Sequence, residues 1–266
     1  MKHPLAAPAL LLLALLLVAL AAPWLVPFSP SEQLLERRLE GPSASHWLGL
    51  DELGRDVLSR LIYGTRVSVT VGLSVVALAA LVGTLIGSIA GYWGGAWDTW
   101  LMRLCEVFLA FPGTLLAIAM VAVLGPALLN LIIALAAVGW VGYARLVRAQ
   151  VLSLRKRPFI EAAVSAGLPT WRILLRHVLP QVAPTLVVQS TLGVAGAILA
   201  EAGLSFLGLG VATGSPSWGA MINAGRSHLL DAPHVAFFPG LAIFVVVAGL
   251  NLLGDALADR LSIKAD

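Results

Sequence analysis

The chain has 266 residues, of which 59% are hydrophobic and 12% are charged, and its formal net charge is +3. A soluble globular domain carries about 45–50% apolar and about 25% charged residues, so this chain cannot cover a water-exposed surface with polar groups. The long apolar runs exclude disordered and collagen-like proteins, and the single cysteine, Cys105, excludes an internal disulfide. The composition therefore predicts a membrane protein, whose apolar surface is in contact with lipid.

Long apolar stretches follow one another along the chain, and a helix needs about 20 such residues to cross a hydrocarbon core of roughly 30 Å. Six stretches meet this requirement, and none alternates in polarity as the strands of a transmembrane barrel do. In chain order they are 5–26, 67–91, 107–124, 125–144, 182–200 and 235–254. Because backbone groups in lipid must be hydrogen-bonded within the segment, the sequence predicts an all-α, polytopic membrane protein with six transmembrane helices.

The first stretch has two interpretations. Lys2, the apolar run and the small residues Ala19 and Ala21 are compatible with a cleaved signal peptide. The run continues up to Pro23, however, and so exceeds the apolar region of about 7–15 residues that a signal peptide has. We predict a retained N-terminal transmembrane anchor over residues 1–26, with cleavage as the alternative.

Three glycines in the second stretch stand four residues apart: Gly83, Gly87 and Gly91. Glycines at this spacing make one face of a helix flat, so that a neighbouring backbone can approach closely. The pattern predicts helix packing within the chain in preference to a separate dimerisation site.

Basic residues concentrate in one loop between predicted spans. Residues 145–181 carry seven Lys and Arg side chains against one acid, Glu161. Cytoplasmic loops of membrane proteins are enriched in Lys and Arg, so this loop is predicted to be cytoplasmic. Counting spans outward places both termini in the cytoplasm and residues 27–66 outside. The net positive charge then reflects topology, and we predict no nucleic-acid partner.

The same loop has the pattern of two short helices. Pro158 suits a first helical position, Gly167 suits a helix stop, and Pro169 can start a second helix that ends at Leu179-Pro180. An apolar face of the second helix is predicted at Trp171, Leu174, Leu175 and Val178. A loop that only binds anionic lipid head groups would account for the charge but not for this shape, which indicates a docking surface with small residues at its tip.

The loop resembles the EAA motif of permease subunits of binding-protein-dependent ABC importers. That motif is Glu-Ala-Ala, three residues, Gly, nine residues, Ile, one residue and Leu-Pro. His177 stands here where the family has Ile. The matching residues, which the resemblance implies couple the chain to an ATPase, are Glu161, Ala162, Ala163, Gly167, Leu179 and Pro180.

Beyond the loop, the chain is similar to the dipeptide/oligopeptide/nickel branch of these permeases. Leu50 stands where that branch more often has Thr. The similar segments are 46–60, 201–210, 216–219 and 238–240.

The resemblance implies a five-helix permease core, residues 67–260, which follows the anchor and the extracytoplasmic segment 27–66, in the cytoplasmic (inner) membrane of a prokaryote. It implies as partners a second homologous permease subunit, two cytoplasmic ATPase subunits and an extracytoplasmic solute-binding protein. Peptides are the expected solute, with nickel or another small solute as the alternative.

Nucleotide and metal chemistry have no motif in this chain. The three lysines, Lys2, Lys156 and Lys264, do not follow glycine, so no phosphate-binding loop ending in Gly-Lys-Ser/Thr is present. We predict no catalytic residue and no cofactor in this chain, with ATP and Mg²⁺ bound by the partner ATPases. The residues His228, Asp231 and His234 are too loosely spaced to predict a metal site. An ion-coupled secondary transporter is the remaining alternative, although no convincing internal repeat is found.

Polar groups at membrane depth are costly and often functional. On this ground Asn130 and Glu201 are candidates for the translocation pathway. Glu201 lies toward the end of its predicted span, where a structural role is the alternative.

Overall fold

A computed structural model describes residues 6–210 and 215–262, and its regular elements in this range are helices. Between α1 and α2 the chain forms a single antiparallel bridge from Leu50 to Asp56. The predicted all-α class is confirmed. The helices are α1 (Ala6–Leu25), α2 (Val57–Trp93), α3 (Gly95–Leu109), α4 (Gly113–Leu124), α5 (Leu128–Leu154), α6 (Pro158–Ser165), α7 (Thr170–Ile173), α8 (Leu179–Phe206), α9 (Trp218–Gly225) and α10 (His234–Ser262).

Five continuous helical stretches are long and apolar enough to cross a membrane: α1, α2, α5, α8 with the residues before it, and α10. Helices α3 and α4 pass the same test together, but they are bent by 81° where they meet. Residues 107–124, predicted above as one span, therefore consist of the end of α3 and the whole of α4, with a bend between them. Pro112 precedes α4, and its ring and missing N–H prevent the helix from continuing across this point.

Helix α2 begins earlier than the apolar run that predicted it. It starts at Val57, because the Asp56 carboxylate accepts a hydrogen bond of 2.7 Å from the backbone N–H of Ser59 and caps the helix. Residues 57–66, assigned above to the segment outside the membrane, are therefore the first turns of a helix of 37 residues. Arg60 and Arg66 precede the uncharged stretch, so the apolar pattern of the sequence does not include this first part of the helix.

Helices α2 and α5 pack against each other along most of their length, with glycines at the contact. A Cβ atom on Gly83 would lie 2.4 Å from Tyr143 Cβ, and one on Gly87 would lie 2.4 Å from the carbonyl oxygen of Ala144. A Cβ on Gly91 would lie 2.8 Å from Val151 Cβ. The two backbones are thus closer than any larger residue permits.

The helix bundle has two ends, a loop end and a distal end. At the loop end, residues 145–181 pack on the ends of α2 and α5, where Val147, Val151, Ile160 and Ile173 share an apolar cluster. At the distal end, residues 26–56 and the turns around α9 cover the opposite ends of α2, α8 and α10. The core between the two ends is apolar and joins α2 to α4, α5, α8 and α10.

The second short helix of the loop does not end at Leu179-Pro180, contrary to prediction. It passes from α7 through a π-helical turn, Leu174–Val178, directly into α8. The backbone N–H of Leu179 donates to the carbonyl of Leu174, five residues earlier. This wider turn lets Pro180, which lacks an N–H, enter the first turn of α8 without breaking the helix.

The predicted apolar face of that helix is also wrong in part. Ile173 and Val178 are buried, whereas Trp171 and Leu175 are 59% and 57% exposed. The pattern assumed about 3.6 residues per turn, but the π-helical turn places residues five apart on the same side.

Candidate functional site

The coupling loop, residues 145–181, is held in shape by a glycine turn. Gly167 has φ +73°, and its N–H donates to the Val164 carbonyl at 2.9 Å. The next N–H, that of Leu168, donates to the Ala163 carbonyl at 3.2 Å. This pair of bonds is the Schellman arrangement, which closes α6 with a residue in the left-handed conformation that glycine adopts most readily.

Helix α6 lies against the protein on one side. Ile160 and Ala163 are 1% and 7% exposed and pack on Val147 and Val151 of α5. Ala163 therefore faces inward, and its small side chain lets α6 approach α5 closely. Glu161 and Ala162 face outward on the same helix.

The other side of the loop presents apolar side chains to its surroundings. These residues, which we call the docking face, are Phe159 (44% exposed), Val164 (54%), Trp171 (59%) and Leu175 (57%). The guanidinium of Arg172 lies 5.2 Å from the centre of the Trp171 ring. Large exposed apolar side chains of this kind are candidates for an interaction surface.

An ion pair near the loop ties α3 to α5. Arg148 Nη2 donates to Asp98 Oδ2 at 2.6 Å, and Arg148 Nε donates to the other carboxylate oxygen. Such two-fold contact fixes the relative position of both side chains. From the sequence, Arg148 could be identified only as one of the basic loop residues. Its pairing with Asp98 could not be predicted, because a partner 50 positions away leaves no local pattern.

A cleft opens along α8 in the middle of the bundle. Its volume is about 770 Å³, and α2, α4, α5 and α8 line it. Gly196 and Gly203 on α8 are exposed there, and a Cβ on either would meet no atom within 4 Å. The wall consists of small and apolar side chains apart from Thr114, Tyr143 and Gln189.

The two pathway candidates have structural contacts in this conformation. Glu201 is fully buried in α8, where the Ser205 hydroxyl donates to its Oε1 at 2.7 Å. Asn130 donates from Nδ2 to the carbonyls of Leu124 at 2.7 Å and Gly125 at 3.1 Å. Asn130 therefore caps the end of α4, and Glu201 lies behind the surface of α8 that lines the cleft.

A cluster of buried charges, not anticipated from the sequence, closes the distal end. Asp51 accepts hydrogen bonds from Arg55 Nε at 2.7 Å and from the Arg55 backbone at 2.9 Å. The same carboxylate lies 3.4 Å from Arg60 Nε. Asp56 lies 3.0 Å from His46 Nδ1, so the segment 46–60 is fastened to the start of α2. Segment 46–60 carries many charged residues in a chain that has few, and this is the signal that could have predicted the cluster.

The histidines near α9 do not converge. His234 is buried and its Nε2 contacts the Leu50 carbonyl at 3.1 Å. His228 lies 3.2 Å from Asp231 and lowers the pKa of that carboxyl by hydrogen bonding. Over residues 6–210 and 215–262, no three His, Cys, Asp or Glu side chains gather as a metal site.

Known proteins match this chain over most of its length. Residues 83–265 match the family described as "Binding-protein-dependent transport system inner membrane component". The chain belongs to this family. It is 45% identical to the glutathione transport system permease protein GsiD of Pectobacterium atrosepticum, over 99% of this chain and 88% of that protein. It is 46% identical to GsiD of Escherichia coli O6:K15:H31, over 99% and 87% of the two chains.

The fold of this permease subunit is also that of a solved transporter. Crystal structures of inward-facing conformations of the MetNI methionine ABC transporter match 76% of this chain and 95% of the matched chain, with a TM-score of 0.57 and 18% identity. The predicted importer family, its dipeptide/oligopeptide branch and the role as a transport permease are confirmed. The multi-pass membrane location is confirmed as well.

Proposed function

We propose that this permease subunit forms half of the translocation pathway of a peptide importer. Its partners in this proposal are a second homologous permease subunit, two cytoplasmic ATPase subunits and an extracytoplasmic solute-binding protein. The names of the relatives support a peptide substrate, because glutathione is itself a small peptide. The loop end faces the cytoplasm in this arrangement, as the seven basic residues of the coupling loop favour.

The coupling loop is proposed to receive the ATPase on its docking face. The observation that carries this proposal is the continuity of α7 with α8 through the π-helical turn. Because α6 is packed on α5 and α7 runs into α8, a displacement of the loop moves both helices as one unit. Helix α8 lines the cleft, so ATPase motion would reach the pathway without an intervening flexible joint.

Alternating access follows from this linkage. ATP and Mg²⁺ are bound by the partner ATPases, since this chain has no Gly-Lys-Ser/Thr sequence. ATP-driven closure of the two ATPases would draw the loops of both permease subunits together and turn the clefts toward the outside. Hydrolysis would restore the inward-facing state. In this proposal the exposed glycine face of α8 meets the second permease subunit across the pathway.

Trp171→Ala tests the docking face. Removal of a large exposed aromatic anchor from an interface typically costs about 2 kcal/mol or more, so ATP-dependent uptake should fall at least about tenfold. Uptake into proteoliposomes and recovery of the ATPase with the tagged chain are measured at equal membrane levels. The matched control is Trp24→Ala, since Trp24 is 84% exposed at the end of α1, next to the distal segment 26–56. Unchanged uptake and recovery with Trp171→Ala would contradict docking.

Substitutions of Gly167 test whether coupling depends on the shape of the loop. Gly167→Val should abolish coupled transport, because a β-branched residue at φ +73° is strained by about 1–2 kcal/mol or more. Gly167→Asn is the control, because asparagine tolerates the left-handed conformation. Uptake and membrane level are measured for both variants. Equal transport by the two variants would show that the turn does not matter for coupling.

A further inference from the structure

A second cavity, at the distal end, differs from the cleft in its chemistry. Its volume is about 690 Å³, and it lies between the segment 26–56, the first turn of α2, the end of α8 and α9. Five charged side chains line it: Asp51, Glu52, Arg55, Arg60 and Arg226. In a chain with 12% charged residues, this concentration around one cavity calls for a ligand that is itself charged.

The floor of this cavity has more positive than negative charge. The Asp51 carboxylate is shared by Arg55 at 2.7 Å and Arg60 at 3.4 Å. Arg60 is 4% exposed and donates from Nη1 to the Pro30 carbonyl at 3.1 Å. Its Nε has no hydrogen-bond partner among the described residues. Since Arg60 Nε already faces Asp51 at 3.4 Å, what favours an anionic group in the cavity is that two guanidinium groups share one carboxylate.

The rim carries a cation that is available to a ligand. Arg226 is exposed, and its guanidinium lies 5.8 Å from the centre of the Phe206 ring. No carboxylate of the described residues forms a salt bridge with it. Asn223 lies on α9 and lines the same cavity, as does the partly exposed Glu52. The cavity therefore offers a planar cation for a carboxylate and an anion for an ammonium group.

We propose that this distal cavity binds the free carboxylate of a zwitterionic, peptide-like solute as the solute enters the pathway. Arg226 pairs with the carboxylate, because a guanidinium matches its two oxygens. The excess positive charge at Arg60 attracts the same group toward the floor, and Glu52 faces the ammonium end. This inference rests on the proposed function, since it assumes that the distal end faces the solute-binding protein.

The test uses the assembled transporter in nanodiscs with Asn223→Cys in the permease subunit. The native Cys105 is 1% exposed, and mass spectrometry of the labelled peptide separates its modification from that of position 223. The rate of maleimide labelling at position 223 is measured with dialanine and with its C-terminal amide. Dialanine at saturation should slow labelling about tenfold, which corresponds to about 1.4 kcal/mol, and the amide should not.

Further variants assign the effect to Arg226. In the Asn223→Cys background, Arg226→Gln should abolish protection by dialanine, and Arg226→Lys should retain part of it. Arg38→Gln, at an exposed position of the distal segment, should leave protection unchanged. Equal protection by the amide, or no protection by dialanine, would overturn the cavity site. ATP-dependent dialanine uptake by the same transporter reconstituted in proteoliposomes is the separate readout: its absence overturns the proposed function.

Discussion

Gly87→Val is expected to lower the free energy of unfolding of this permease subunit by about 3 kcal/mol or more, the upper range for overpacking a tight interface. A Cβ at Gly87 would lie 2.4 Å from the Ala144 carbonyl oxygen and 2.9 Å from Val147 Cβ. Backbone atoms of α5 cannot move aside as a flexible side chain can. Helices α2 and α5 would have to separate along their contact, with loss of neighbouring packing. The midpoint of chemical denaturation in mixed micelles measures the effect.

The matched control for this prediction is Gly196→Val on α8. A Cβ at Gly196 would meet no atom within 4 Å, so the same substitution adds the same apolar volume without a clash. Its midpoint should stay close to that of the unaltered chain. Similar losses for both variants would show that the contact between α2 and α5 is not the cause of the destabilisation.

Asp51→Ala is expected to destabilise the chain by about 3–5 kcal/mol, the cost of removing one partner from a buried ion pair. Asp51 is 3% exposed and compensates the buried guanidinium groups of Arg55 and Arg60. Without Asp51, the guanidinium groups of Arg55 and Arg60 both lose the carboxylate that forms their salt bridges. The backbone N–H of Leu53, which donates to Asp51 at 2.9 Å, also loses its acceptor.

Denaturation midpoints test this second prediction with Glu36→Gln as the control. Glu36 is exposed in the same distal segment, so its charge is screened by water and its loss should change stability by less than about 0.5 kcal/mol. If Asp51→Ala lowers the free energy of unfolding by less than about 1 kcal/mol, water solvates these charges and the cluster does not hold segment 46–60 in place.

Local chemistry made much of the coupling loop predictable. Pro158 begins α6, and Gly167 ends it with the expected positive φ, because both residues restrict the backbone wherever they stand. The second helix was harder to predict, because helical periodicity assumes a regular turn. The π-helical turn before Pro180 moved Trp171 and Leu175 to the exposed side, and it turned a predicted helix end into a continuous connection with α8.

Contacts between distant residues explain the remaining differences. The pairing of Arg148 with Asp98 joins residues 50 positions apart, and the burial of Glu201 depends on other helices, so neither has a local pattern. The 81° bend between α3 and α4 is of the same kind. Pro112 indicates a break, but no local pattern gives the angle.

The sequence by itself determined that the chain spans a membrane, because apolar run length is a local property that the bilayer thickness converts into helices. It also determined where α6 begins and ends, because the residues Pro158 and Gly167 act locally. The tertiary structure alone decided which side chains face a cavity and which are buried. Ala163, Glu201 and Asp51 acquire their roles from helices packed against them, and packing depends on the whole chain and not on any window of it.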